Sequence, residues 1–161
     1  MKTLAYEYFP TTWQSVIWRN WGYVPAERIA KAINTSEEEV KKAAVALGLL
    51  DIQPDKEWLK RGYLTIIRNN WMICTCEQIC TLLDITQEKL DFILKEDDFL
   101  WIKLGSMKPE VDAPRFAPLT PEQQKVTDEI KKMFAHTIVA DAKDNGFQFV
   151  ENYKKPAEQI L

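Results

Sequence analysis

The chain has 161 residues, of which 46% are hydrophobic and 11% aromatic, so it carries enough apolar surface to build one or two folded domains. Its 21 basic and 24 acidic residues give a net charge of −3, which is not the positive charge typical of chains that bind nucleic acid along their whole length. No apolar run approaches the roughly 18 to 20 residues that a membrane-spanning helix needs.

The start of the chain and its cysteines both favour a cytoplasmic location. Residues 1–10 lack the basic start and the long apolar run of a secretory signal. Cys74, Cys76 and Cys80 lie within seven residues of one another, which is not the pattern of a disulfide-stapled secreted domain. Zinc needs about four thiolate or imidazole ligands, and the only histidine, His136, lies far along the chain. We therefore expect free thiols, with Cys76 and Cys80 as small core residues, and no metal or cofactor.

The most informative pattern is an internal repeat with an offset of 50 residues. Aligning residues 17–48 with residues 67–98 without a gap gives six identical pairs, among them Asn20 with Asn70 and Trp21 with Trp71. The apolar positions keep the same register. The repeat therefore predicts two halves with the same fold.

Each half is predicted to contain three helices arranged like a helix-turn-helix motif. In the first half, apolar residues recur at helical spacing over residues 12–21, and a second helix runs from Pro25, in its first turn, to Ile33. The third helix is capped by Ser36, with Glu39 as the capping-box partner, and ends at Gly48.

The second half repeats this order after a connector in which residues 56–60 form a short helix. Its helices are predicted at residues 63–71 and 75–83, followed by a helix that is capped by Thr86 and runs to about Lys95. We expect each half to build its own small core, with Trp21 and Trp71 packed at equivalent places.

Beyond the repeat, residues 99–104 are rich in strand formers, and residues 106–118 are extended because they contain three prolines. A capping box at residues 120–123 begins a last helix, which ends at residues 144–146 and precedes a second strand at 147–153. The apolar face of that helix is predicted from four residues: Val126, Ile130, Met133 and Ile138.

The predicted fold is therefore mainly α, with two tandem helix-turn-helix-like three-helix units, a C-terminal helix and a short two-stranded β element. The predicted domains are a first repeat at 11–50, a second repeat at 56–105, an extended proline-containing linker at 106–119, and a C-terminal helix and tail at 120–161.

A helix-turn-helix pattern raises the hypothesis of a DNA-binding transcriptional regulator, whose second motif helix would face the major groove. Here the first turn of that helix contains Glu37, Glu38 and Glu39, and three adjacent carboxylates are repelled by phosphates. The alternative is an accessory module that binds another domain or a protein partner. The candidate interaction surface consists of basic residues: Arg19, Arg28, Lys31, Lys41, Lys42 and Arg68.

Enzyme activity and sugar binding receive less support from the residues. The carboxylates at residues 96–98 are consecutive at a helix end, where a solvated or capping role is expected rather than acid/base catalysis. The sequence contains no glycine-rich phosphate loop, nucleophile elbow or histidine relay. Residues 18–21 and 68–71 offer tryptophans that could stack on a sugar or a base, although core packing is the simpler explanation for Trp21 and Trp71.

Residues 17–21, 25–30, 61–68 and 96–105, together with Trp71, resemble the helical N-terminal region of large uncharacterised bacterial proteins, some of them glycoside-hydrolase-like. The resemblance covers residues 13–120. It implies a non-catalytic accessory module of a bacterial carbohydrate-active protein, with any hydrolase activity in another domain or chain. It carries no functional residues, and the chain departs from the family at Thr75, where proline is common.

Overall fold

The computed structural model describes residues 8–135, apart from the side chain of Trp58, and within this range the protein is mainly helical. Helix is the only regular structure there besides a single bridge residue at Glu110. The helices in chain order are α1 (Thr12–Asn20), α2 (Ala26–Ile33), α3 (Glu37–Ala46), α4 (Lys56–Arg61), α5 (Tyr63–Asn70), α6 (Cys76–Leu83), α7 (Gln87–Glu96), α8 (Leu100–Lys103) and α9 (Pro121–Phe134).

Short polar residues set the beginnings of these helices, because their side-chain oxygens accept backbone N–H groups that have no partner within the helix. Ser36 and Thr86 accept from the amide three residues on, as predicted. The predicted capping box at Ser36 is incomplete, because the Glu39 carboxylate pairs with Lys42 instead. Thr75 and Thr120 form complete capping boxes. Pro25 lies one residue before α2 rather than inside its first turn.

Equivalent helices in the two halves begin and end at positions separated by the repeat offset of 50 residues. Helices α2 and α6, and likewise α3 and α7, begin and end 50 residues apart. The turns between them also match, since Asn34 and Asp84 both adopt the left-handed conformation with φ of 57°. We refer to residues 12–48 as the first segment and residues 62–98 as the second segment.

The two segments pack against each other through equivalent helices. Arg28, in the first turn of α2, donates to the carbonyl of Leu83 at the end of α6 over 3.3 Å. Gln78, in the first turn of α6, donates to the carbonyl of Ala32 near the end of α2 over 2.7 Å. The beginning of each helix therefore meets the end of the other, so α2 and α6 are antiparallel.

A buried pair of asparagines joins α1 to α5. The side-chain amide of Asn20 donates to Asn70 Oδ1, and that of Asn70 donates to Asn20 Oδ1, both over 2.8 Å. Each amide also donates to the backbone carbonyl four residues earlier, and both side chains are fully buried. Such reciprocal contacts between equivalent residues are what an approximate two-fold axis produces.

The expectation of two small cores is wrong. Buried side chains from both segments form one continuous cluster, because α2 and α6 pack directly against each other. Trp71 is 1% exposed within this cluster, whereas Trp21 is only half-buried at its edge. Cys76 and Cys80 are also half-buried against the core.

The predicted strand at residues 99–104 is also wrong, since α8 occupies residues 100–103. Leu100 is fully buried and Leu104 partly buried, so the apolar period is four rather than two. Tertiary packing thus overrides the strand propensity of these residues. The predicted partner strand at residues 147–153 lies outside the described residues.

Helix α9 begins at its predicted capping box, but its buried face differs in part from the predicted one. Ile130 is buried as predicted, together with Thr127, whereas the predicted Val126 and Met133 are exposed. A buried polar contact explains this rotation of α9, because Gln14 Nε2 of α1 donates to Thr127 Oγ1 over 2.9 Å and turns Thr127 toward the core. The extended segment predicted at residues 106–118 is confirmed only in part: residues 111–120 form no helix or strand, but the chain bends at residues 106–107, where Ser106 has φ of 54°. His136, Ile138 and the predicted helix end at 144–146 lie outside the described residues.

The asparagine pair makes a prediction about stability. We expect Asn70→Leu to lower the free energy of unfolding by about 1 to 3 kcal/mol, because Asn20 would keep a buried amide with no partner. The measurement is urea denaturation followed by circular dichroism.

The double variant Asn20→Leu with Asn70→Leu is the control for this prediction. It removes both amides together, so its loss should be smaller than the sum of the two single losses. Strict additivity of the two single losses would show that the amides do not stabilise each other.

Candidate functional site

Two of the predicted interaction residues, Arg28 and Lys31, line a groove of about 640 Å³ where α2 meets α6. Each is paired with a carboxylate: Arg28 Nη2 lies 2.9 Å from Asp84 Oδ2, and Lys31 Nζ lies 2.6 Å from Glu27 Oε1. Glu77 also lines the groove. Three acidic and two basic side chains therefore face this space, which gives it no attraction for phosphate.

Three of the other predicted residues are also beside acidic partners. Lys41 Nζ lies 2.6 Å from Glu37 Oε1, and Lys42 Nζ lies 3.1 Å from Glu38 and from Glu39. The hydrogen bonds to these glutamates raise the pKa of both lysines above the ordinary value. Arg68 lies 3.9 Å from Asp98. These charges are exposed, so the pairs mainly cancel the local field rather than stabilise the fold.

Arg19 serves the interface between the segments instead. Its guanidinium donates to the backbone carbonyl of Asn69 at the end of α5. This matches the carbonyl-capping role expected for it from the sequence. The six predicted residues are thus distributed over the segment junction, α3 and α5, and the structure does not gather them into one basic surface.

An ammonium site that the sequence did not predict is formed around Lys108. Its Nζ donates to the carbonyls of Trp71 and Cys74, each over 2.7 Å, and lies 5.1 Å from the Trp71 ring centroid. Burial lowers the pKa of Lys108, although the charged form has favourable partners. The lysine fastens the extended chain after α8 to the second segment. A lysine in a proline-containing stretch carries no sequence signal of such a role.

The first segment does not reproduce this site, because the equivalent turn is built differently. Trp71 has ψ of −40°, as in a type I turn, whereas Trp21 has ψ of 131° and is followed by Gly22 with φ of 78°, as in a type II turn. The Trp21–Gly22 peptide is therefore flipped relative to the Trp71–Met72 peptide. As a result, the carbonyl groups of Trp21 and Trp71 point in different directions. The second segment has Met72 at the position equivalent to Gly22, and a residue with a side chain disfavours the positive φ that glycine adopts.

An apolar surface lies on α8, which we call the α8 surface: the exposed side chains of Phe99, Trp101 and Ile102. Phe99 is 75% exposed and Ile102 is 66% exposed. Asp98 and Phe99 adopt left-handed backbone conformations with φ of 51° and 53°. Such a conformation costs roughly 1 to 2 kcal/mol in a residue with a side chain. Sequence analysis missed this surface because it assigned these residues to a strand.

The tryptophans considered for sugar stacking are largely occupied within the protein. Trp18 contacts both Phe9 and Phe134, with ring centroids 5.4 Å and 4.9 Å away. Trp71 is buried, which confirms the core role predicted for it. Trp21 donates its indole N–H to the carbonyl of Leu50 over 2.7 Å. Their rings therefore serve mainly to close the core.

The turn at Gly22 predicts a stability change. A Cβ at this position would lie 3.3 Å from Ile52 Cγ2, in a backbone conformation that L-residues rarely adopt. We expect Gly22→Ala to lower the free energy of unfolding by about 1 to 3 kcal/mol, measured by thermal denaturation.

The matched control is Gly105→Ala, because Gly105 has φ of 85° and no neighbouring atom lies within 4 Å of the place where a Cβ would stand. This variant carries the backbone strain without the contact, so its loss should be smaller. Equal losses for the two variants would mean that contact with Ile52 contributes nothing.

The three cysteines make a prediction about chemical reactivity. Burial raises the pKa of Cys74 to about 12, so at pH 8 only about one thiol in ten thousand is ionised. We expect Cys74 to resist a maleimide reagent in the native protein and to react fully in urea, as followed by peptide mass spectrometry. Rapid native labelling of Cys74 would contradict its placement in the core.

No family model, curated protein or solved structure matches this chain. Among the described residues, no helix is long and apolar enough to cross a membrane. The same part of the chain holds no group of three or more histidine, cysteine, aspartate or glutamate side chains arranged for a metal ion.

Proposed function

We propose that this chain is a non-catalytic helical interaction module, built from two helix-turn-helix-like units, that serves as an accessory to a bacterial carbohydrate-active protein. The observation that carries the proposal is the α8 surface. Three large apolar side chains within residues 99–102 are exposed to solvent. Exposed apolar groups that cluster in this way are typical of surfaces that bind another protein.

Backbone conformation supports a role for this surface. Asp98 and Phe99 are left-handed, and this reorientation lets Leu100 enter the core while Phe99 projects outward. Trp101 is anchored against the buried Trp71, with perpendicular rings 6.1 Å apart. A partly anchored aromatic residue loses little conformational freedom on binding, which favours a role as a contact residue.

The acidic residues beside the α8 surface support a non-catalytic role. Asp97 accepts a hydrogen bond from Tyr63 Oη over 2.7 Å, and Asp98 pairs with Lys103 over 2.6 Å. Both carboxylates are therefore engaged in contacts that hold α5 and α8 in place. The association with a carbohydrate-active protein comes from the resemblance over residues 13–120, a range that includes the α8 surface.

Photo-crosslinking in cells tests this proposal. Ile102 is replaced by a photoreactive phenylalanine, and Lys125, exposed on α9, is replaced in the same way as the control. We expect a discrete adduct from position 102 only, containing a carbohydrate-active polypeptide or another domain of the same chain. An adduct with an unrelated protein would refute the association with a carbohydrate-active protein. The absence of any adduct at position 102 would refute the proposed interaction module.

DNA binding is the second candidate, favoured by helix pairs that are joined through short left-handed turns at Asn34 and Asp84. The paired carboxylates beside Lys31, Lys41 and Lys42 weigh against it. We expect no saturable change in the fluorescence anisotropy of a labelled duplex of about 30 base pairs at low salt. Binding that weakens steeply as salt rises would make the DNA-binding candidate the better one.

A further inference from the structure

One face of the first segment is covered by the chain's own extended residues, which we call the strap (residues 111–120). The backbone N–H of Phe116 donates to the carbonyl of Ile33 over 2.8 Å. The Phe116 ring packs on Trp13, with centroids 4.9 Å apart. The strap is therefore held by a backbone hydrogen bond to the end of α2 and an aromatic contact with α1. Gln78 Nε2 of α6 also donates to the Pro114 carbonyl over 2.9 Å.

The equivalent face of the second segment is open within the described residues. A cavity of about 300 Å³ lies there, and its lining includes Tyr63 and Leu83, the counterparts of Trp13 and Ile33 at the repeat offset. Ile85, Ile93 and Asp97 complete the part of the lining that matters here. We call this cavity the second-segment groove. Its volume is at the lower end of the range for sites that take a small ligand or one side chain.

The backbone acceptor used by the strap also has its counterpart in the second-segment groove. Leu83 O, equivalent to Ile33 O, accepts only a long hydrogen bond of 3.3 Å from Arg28 Nη1 among the hydrogen bonds of the described residues. A carbonyl oxygen has two lone pairs, so it can accept a second N–H beside this one. The residues that line the groove thus carry the counterparts of both features that hold Phe116, apolar side chains and a backbone carbonyl that can accept a further N–H.

Side-chain differences limit what the groove can take. Ile93 stands where the first segment has the smaller Ala43, which makes the space shallower. Tyr63 and Asp97 hydrogen-bond to each other at one end, and Lys89 lies at the lining with its Nζ 4.8 Å from the Phe92 ring centroid. The groove therefore suits a single aromatic side chain on an extended backbone rather than a packed helix such as α9.

The geometry points to the second-segment groove as a docking site for an extended, proline-flanked peptide of a partner protein that inserts one aromatic side chain. The chain's own residues 114–118 show the chemistry, because two prolines flank Phe116 there. Prolines keep such a segment extended and reduce the entropy lost on binding. This inference rests on the proposed role as an interaction module and adds a second contact surface, apart from the α8 surface.

The test uses the full chain and a synthetic, fluorescently labelled peptide with the sequence of residues 111–119. We expect saturable binding in a fluorescence anisotropy titration, with a dissociation constant between about 10 µM and 1 mM for so small an interface. A peptide with Phe116→Ala should bind at least about tenfold more weakly, since burying one phenylalanine is worth roughly 1.5 to 3 kcal/mol.

Two chain variants locate the binding. Ile85→Arg fills the groove and should weaken binding at least about tenfold. Val45→Arg makes the same change at an exposed position on α3 and should leave binding within about twofold. Circular dichroism verifies that both variants are folded.

A photoreactive phenylalanine at peptide position 116 provides a readout that does not depend on any chain variant. Adducts should map to residues 83–97. Adducts on α1 or α2 would mean that the peptide displaces the strap, and they would overturn the inference. So would an absence of saturable binding up to about 1 mM, or equal binding by Ile85→Arg and the unmodified chain.

A dimer of the chain that Ile85→Arg dissociates, seen by analytical ultracentrifugation, would assign the groove to a second copy and not to a partner. These outcomes are independent of crosslinking at Ile102. If the peptide does not bind but Ile102 gives a specific adduct, only the proposed docking site in the second-segment groove is refuted. If the peptide binds but Ile102 gives no adduct, only the α8 surface is refuted as a contact surface.

Discussion

The structure depends on two buried asparagine side chains, Asn20 and Asn70, that hydrogen-bond to each other between the segments. Each amide satisfies its remaining donor on the carbonyl four residues earlier, so the pair is complete without water. A complete polar pair in an apolar surrounding tolerates only one alignment of the helices that carry it, because any slip leaves buried donors without acceptors. The pair therefore fixes the register of α1 on α5.

From that register follows the antiparallel contact of α2 with α6 and the merging of two potential cores into one. Arg28 and Gln78 then reach across the contact in equivalent ways, each satisfying a carbonyl at the end of the opposite helix. A small helical unit buries a limited share of its own surface. Pairing two units through a shared core buries more of the surface of each unit.

The chain beyond residue 98 breaks this near-symmetry, because it forms the α8 surface and leaves the second-segment groove uncovered. Helix α8 and Lys108 fasten the second segment, whereas the strap and α9 cover the first. One face is therefore covered internally while its counterpart stays open. In the proposed role, this asymmetry would let the chain bind a partner without a competing second site of the same kind.

The sequence by itself determined most of the local structure. Capping residues such as Ser36, Thr86 and Thr120, and the closing Gly48, act within a few residues of one another, so helix bounds and the 50-residue offset were predictable. The burial of Trp71 followed from the repeat. Only the tertiary structure decided the shared core, the helical state of residues 100–103, the rotation of α9 and the ion pairs that neutralise the predicted basic surface. These depend on contacts between residues far apart in the chain, such as Asn20 with Asn70 and Gln14 with Thr127, and periodicity carries no information on which distant groups will meet.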